Sequence, residues 1–184
     1  GILPRDGDGR RPGSRRSGEA PMENRAGFER LLAHDHWANG QVLSSLEALG
    51  EPPASLLTTF GHLLGAEACW LHRMTVGTDP PLDWESAGAA ALRQVWVSDL
   101  PARWSAFLGD PKLSDPARTF TYRNWKDETW SCRVGDVLFH VLLHSAHHRG
   151  QVAAAVRAAG GEPGVTDFLH AARKGVIPGD LPES

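Results

Sequence analysis

Cysteine is scarce in this chain. Cys69 and Cys132 are the only two, they lie far apart, and they form no C-x-x-C pair. The sequence therefore offers neither a thiol redox motif nor a disulfide framework. A reducing, cytoplasmic setting fits best, with a single structural disulfide as the alternative. An excess of positive charge is also missing. The formal net charge is −3 with histidines neutral, so no global basic field argues for nucleic acid as a partner. No run of about 18 apolar residues occurs, which excludes a membrane-spanning helix. There is no internal repeat. Gly1 to Pro21 contains arginines but no apolar stretch that would make it a secretory signal.

What is present is enough for one domain. The chain has 184 residues, of which 41% are hydrophobic, and it contains 7 tryptophans, most of them expected in core packing. Gly1 to Pro21 is rich in Gly, Pro, Arg and Ser, and is expected to be a disordered extension. Met22 is expected to be the natural start, with a functional basic arm upstream as the alternative. Residues 22–175 should form the folded unit and 176–184 a flexible tail.

Apolar spacing predicts a first helix from Glu23 to Leu49, stopped by Gly50 and Pro52-Pro53, with His34 solvated and His36 able to face inward. A second helix runs from Pro53 to about Val76, with Ser55 near its cap. After a loop from Gly77 to Gly88, a third is expected from Ala89 to Leu108, kinked or broken near Leu100 by Pro101. Gly109 to Arg133 is a long connection. Its second half, rich in β-branched and aromatic residues, reads as a short hairpin turning near Lys126-Asp127. The fourth helix runs from Val134 to Ala159 and stops at Gly160-Gly161, and Thr166 to Arg173 makes a short last helix. The expected fold is all-α: a four-helix bundle with a long connection between its third and fourth helices.

The fourth helix carries the most pointed signal. His140, His144 and His148 are spaced i, i+4, i+8. A step of four residues overshoots a full turn by about 40°, so the three imidazoles share one face. Two histidines at i, i+4 can hold one metal ion between them. No Glu stands between them as in the H-E-x-x-H motif, so a further ligand has to come from elsewhere in the chain. His147 points away from this face. His62, close to an apolar stripe in the second helix, reads by itself as a packing residue.

Several segments together resemble the DinB family of four-helix-bundle metalloproteins. They are Trp37-Ala38-Asn39, Gly61-His62-Leu63-Leu64-Gly65-Ala66-Glu67, Tyr122-Arg123-Asn124, the element His144-x-x-x-His148-Arg149-Gly150-Gln151, and Asp167-Phe168-Leu169. The similarity spans about Met22 to Lys174. It implies a metal site made of His62, His144 and His148, with His140 in a supporting or packing role. It also implies one divalent cation: zinc first, with nickel, iron or cobalt as alternatives. Glu67, Gln151 and Asn39 are candidates to orient the ligand rings, Glu67 being equally readable as a surface acid. Arg149 and Arg123 are candidates to hold a carboxylate of a thiol or substrate, or else plain exposed arginines with ion-pair partners. Cys69 and Cys132 read as small buried residues.

Three imidazoles leave a metal with vacant positions, which suits catalysis. The resemblance implies a thiol S-transferase that holds a low-molecular-weight thiol of the bacillithiol or mycothiol type as a metal-bound thiolate. A thiol-dependent isomerase and a metal-dependent hydrolase are alternatives on the same site. A non-enzymatic metal-binding protein of the damage response is a reading of another class. A small-molecule substrate and a homodimer are expected, without membrane or nucleic-acid partners.

Overall fold

The computed structural model describes residues 20–80 and 99–179, with side chains from Arg25 onward. Its elements in chain order are α1 (Ala20–Ala48), α2 (Ala54–Val76), α3 (Leu100–Gly109), β1 (Thr119–Arg123), β2 (Thr129–Arg133), α4 (Val134–Ala158) and α5 (Phe168–Arg173). The fold is mostly helical, with one small two-stranded sheet. The extension expected over Gly1–Pro21 lies outside the described residues up to position 19, and α1 starts at Ala20 rather than Glu23. The stretch expected to open the third helix, 89–98, is also outside them. What is described of that helix begins at Leu100, with Pro101 in its first turn. There the missing N–H has no intrahelical partner to lose, so proline is tolerated.

The helices pack through seams that the sequence spaces at three and four residues. In α1 the buried positions include Phe28, Leu32, Val42 and Leu46, in α2 Phe60, Leu63, Leu64, Leu71 and Met74, and in α4 Val134, Leu138, Val141, Val152 and Val156. Trp104 and Phe107 of α3 join the same core and meet edge to face. Each such large side chain contributes about 1.5–3 kcal/mol by leaving water. α2 and α1 both pack along α4, which makes α4 the spine of the bundle.

The connection before α4 forms the expected hairpin. Thr119 pairs with Arg133 and Arg123 with Thr129 in antiparallel register. Phe120 and Tyr122 point into the core, while Thr119, Thr121 and Arg123 face out, as a period of two requires. Asp127 takes a positive φ of 65° in the turn, where Asn124 Oδ1 accepts the N–H groups of Lys126 and Glu128 at 3.0 and 2.9 Å. The hairpin is pinned to the end of α2. Arg123 N–H donates to the Gly77 carbonyl at 3.0 Å, and Asp79 accepts from Arg73 Nε at 2.5 Å and from the Trp125 N–H at 2.6 Å. The Arg73 guanidinium lies 4.5 Å from the ring centres of both Trp70 and Tyr122, a stacked cation–π arrangement.

Three local expectations are corrected. Ser55 does not cap α2: Pro53 occupies that position without a side-chain cap, and the Ser55 carbonyl accepts from Thr59 Oγ. His34 is half-buried rather than solvated; its Nε2 lies 3.0 Å from the Thr166 carbonyl and its ring meets Phe168 edge to face. The chain also stays packed past Gly175, because Ile177 is buried with Ala171 and Ala172, and Arg30 bonds the Pro178 carbonyl. His36 does face inward, lining a cleft with Trp104.

The segment after α4 crosses α1 closely at Gly164. A Cβ there would lie 2.7 Å from the Gln41 carbonyl oxygen, and the Gly164 N–H donates to Ser45 Oγ at 2.6 Å. Gly164→Ala is expected to destabilise the fold by about 1–3 kcal/mol, the usual cost of forcing backbone apart at a tight contact. Urea unfolding checks it, with an unchanged midpoint as the contrary result.

Candidate metal centre

α2 and α4 run against each other, and their facing surfaces bring His62 beside His144 and His148. One ring nitrogen from each of the three lies within 4.8 Å of the others. The His62 ring centre is 5.2 Å from that of His144 and 4.9 Å from that of His148. His144 Nε2 and His148 Nε2 are 3.1 Å apart. Nitrogens held tetrahedrally about 2.0–2.1 Å from a zinc ion would stand about 3.3 Å apart, so this spacing suits a shared cation. His62 is exposed and the other two are half-buried, so the cluster opens to solvent on one side.

The protonation pattern also fits a ligand set. His148 Nδ1 lies 2.7 Å from Gln151 Oε1. An amide oxygen only accepts, so Nδ1 carries the proton and the Nε2 lone pair faces the cluster. Burial, reinforced by the neighbouring imidazoles His148, His62, His140 and His147, pushes His144 down to about 4. Burial lowers His148 as well, against the opposing pull of Gln151. Both rings are therefore neutral at pH 7, the form that binds a metal.

The other candidates fall into different places. Gln151 orients His148, and its Nε2 sits 3.0 Å from His147 Nε2. His140 leaves the cluster: its ring is 5.5 Å from His144 on one side and 5.5 Å from Trp70 on the other. Arg123 pairs with Asp127 at the hairpin end and is exposed. Cys69 and Cys132 are free thiols. Burial raises both, Cys69 to about 11, so neither is a thiolate at neutral pH.

Glu67, Asn39 and Arg149 meet behind the histidines, in the core. Glu67 is 1% exposed rather than a surface acid, and Arg149 is 5% exposed rather than a surface arginine. Arg149 Nη1 donates to Asp35 Oδ1 at 2.5 Å and to Asn39 Oδ1 at 2.9 Å. The carboxylate it holds is thus the protein's own. Asn39 Nδ2 and Ser145 Oγ each donate to Glu67 Oε1 at 2.9 Å. Asp35 and Ser145 were not singled out from the sequence. Their signal was spacing: Asp35 continues the seam from Leu32 to Asn39, and Ser145 the seam from Val141 to Arg149.

Two acids and one arginine share this buried site. Burial, then the Asp35 charge, raises Glu67 well above the ordinary carboxyl range. Asp35 has the guanidinium, so Glu67 is the acid that holds a proton. Glu67 Oε2 is buried with no donor facing it, which favours the protonated acid over a bare carboxylate there.

A model of the DinB family matches residues 22–179 of the chain. No curated protein and no solved structure matches it.

Two outcomes follow from the buried cluster. Asp35→Asn leaves the Arg149 charge uncompensated and is expected to cost about 3–5 kcal/mol in urea unfolding. The proton on Glu67 gives a pH dependence. A group whose folded value is raised contributes in full below its unfolded value, about 4.3 for Glu, and loses that contribution as pH rises through the folded value. Wild-type protein should therefore lose stability relative to Glu67→Gln as pH rises above the ordinary carboxyl range. Paired urea curves at pH 5 and pH 8.5 measure the difference, and a gap that does not change with pH would show that Glu67 holds no proton.

Proposed function

Because the chain belongs to the DinB family and gathers three imidazole nitrogens at one point, we propose that it is a divalent-metal-dependent enzyme, a thiol S-transferase using a low-molecular-weight thiol. The observation that carries this reading is the open cluster of His62, His144 and His148, exposed at His62 and with the His144 and His148 rings held neutral. A closed structural site would use a fourth protein ligand. Zinc is the cation proposed first, with nickel, iron and cobalt as alternatives for an all-nitrogen set. A divalent ion here would hold a thiol as its thiolate at neutral pH, which supplies the nucleophile.

The chain's own residues supply the rest. Gln151 fixes the His148 ring. The buried cluster of Asp35, Arg149, Asn39, Glu67 and Ser145 fixes how α4 is turned against α1 and α2, and so where the two ligands on α4 point. A nucleophile has to come from outside the protein, since both cysteine thiols are raised rather than lowered. That supports a thiol cosubstrate over a cysteine-based mechanism. The free cysteines suit the proposed cytoplasmic setting, and a homodimer remains part of the proposal. Among the described residues, no helix is long and apolar enough to cross a membrane.

Purified protein is expected to carry about one divalent ion per chain, as a single shared site requires. His144→Ala and His148→Ala should remove it without unfolding the bundle. Elemental analysis with far-UV circular dichroism reads both, and wild-type metal content in the double variant would refute the site. Loaded protein should consume bacillithiol or mycothiol in the presence of monochlorobimane, in a metal-dependent way. Absence of turnover with bacillithiol, mycothiol and glutathione would count against the transferase and favour a hydrolase or a binding protein.

A further inference from the structure

His140 shares the helix face of the two α4 ligands but turns its ring toward Trp70. Both rings line a cavity of about 420 Å³, bounded also by Cys132, Arg133, Asp136 and Val137. It sits where β2 runs into the first turn of α4, on the side of His144 toward the helix's N-terminus. Its volume is within the range of small-molecule sites. Its chemistry is mixed: an indole and a valine supply an apolar wall, while Arg133 and Asp136 bring opposite charges. Neither Arg133 nor Asp136 has an ion-pair partner among the described residues. The two arginines that the sequence suggested for a carboxylate differ in this respect: Arg149 is taken up by Asp35 and Arg123 by Asp127.

We infer that this cavity holds the tail of the thiol cosubstrate, and that the thiol is one bearing a carboxylate at the end remote from its sulfur. The inference rests on the transferase reading above. With the sulfur at the histidine cluster, the rest of the molecule has to run along α4. Toward the helix C-terminus it meets Gln151 and His147, already joined to each other and to His148. Toward the N-terminus it passes His140 and enters the cavity. From His144 to Asp136 is eight residues, about 12 Å along the helix axis at 1.5 Å per residue, which a tripeptide-sized thiol spans. At the far end Arg133 pairs with the carboxylate, and Asp136 accepts from a hydroxyl or ammonium group of the same molecule. His140 is then the wall over which the tail passes, a specificity-determining residue with no place among the metal ligands.

The test uses the full zinc-loaded chain and calorimetric titration with bacillithiol and glutathione, which carry carboxylates away from the sulfur, and with mycothiol, whose far end is uncharged. Wild-type protein should bind at least one of the carboxylate thiols. Arg133→Ala should weaken that binding about tenfold or more, and Arg133→Glu further, as loss of a charged hydrogen bond requires. Zinc content and any mycothiol binding should stay unchanged, and Arg123→Ala should match wild type. The Arg133 side chain is exposed and has no ion-pair partner among the described residues, so its substitution leaves the fold intact. Equal affinity of wild type and Arg133→Ala for the carboxylate thiols, or binding of mycothiol alone, would overturn this inference and leave the transferase reading standing. If zinc-loaded wild type binds none of the three, the transferase reading falls and this inference falls with it.

Discussion

The bundle depends on one buried ion pair. Asp35 of α1 and Arg149 of α4 meet at 2.5 Å with exposures of 0% and 5%. Charges removed from water to this degree are tolerated only when their hydrogen-bonding capacity is met. Asn39 meets part of it, bonding Arg149 with its oxygen and Asp35 and Glu67 with its nitrogen. Ser145 adds a second donor to Glu67 Oε1. The five residues form one polar layer across α1, α2 and α4, with apolar seam residues above and below it. An apolar layer of the same volume would be no less stable. What the polar layer adds is register: rotating α4 by one residue would leave a guanidinium and a carboxylate buried apart.

That register matters because of what lies on the neighbouring face of α4. Ser145 follows His144 and Arg149 follows His148, so each ligand stands one residue, about 100° around the helix, from a member of the polar layer. Glu67 plays the matching part in α2, which also carries His62. The layer therefore indexes both helices that carry the histidine cluster. A site that must place three nitrogens within a few tenths of an ångström needs such support from the residues behind it. On the solvent side the cluster is tied only through Gln151, which contacts His148 and His147, among the described residues.

Much of this could be read from the sequence. Periodicity and the Gly50 and Gly160 stops located α1, α2 and α4 to within a few residues, and a run of β-branched and aromatic residues around a polar turn located the hairpin. That His144 and His148 share one face was legible because both lie on one helix. His62 was legible only through family resemblance, since nothing within α2 distinguishes a ligand from a packing histidine. The polar layer was not read, for a physical reason. A seam position occupied by Asp or Arg looks like a solvated position until its partner is known, and the partners here are 114 residues apart. Arg149 therefore reads from the sequence as a holder of a substrate carboxylate or as an exposed arginine with an ion-pair partner, whereas it is buried and the carboxylate it holds is Asp35.

His140 shows why three aligned histidines do not make the triad. On a straight helix each step of four residues advances about 6 Å and turns about 40°. His144 and His148 are one step apart and can converge on a point beside α4. His140 is two steps from His148, about 12 Å away and 80° around, so it cannot reach the point that those two share with α2. The third nitrogen has to come from a facing helix, and His62 is placed for it. Displaced along the same face, His140 meets Trp70 instead. The sequence pattern that suggested one three-histidine ladder thus divides into a pair that gathers with His62 and a neighbour that packs on Trp70.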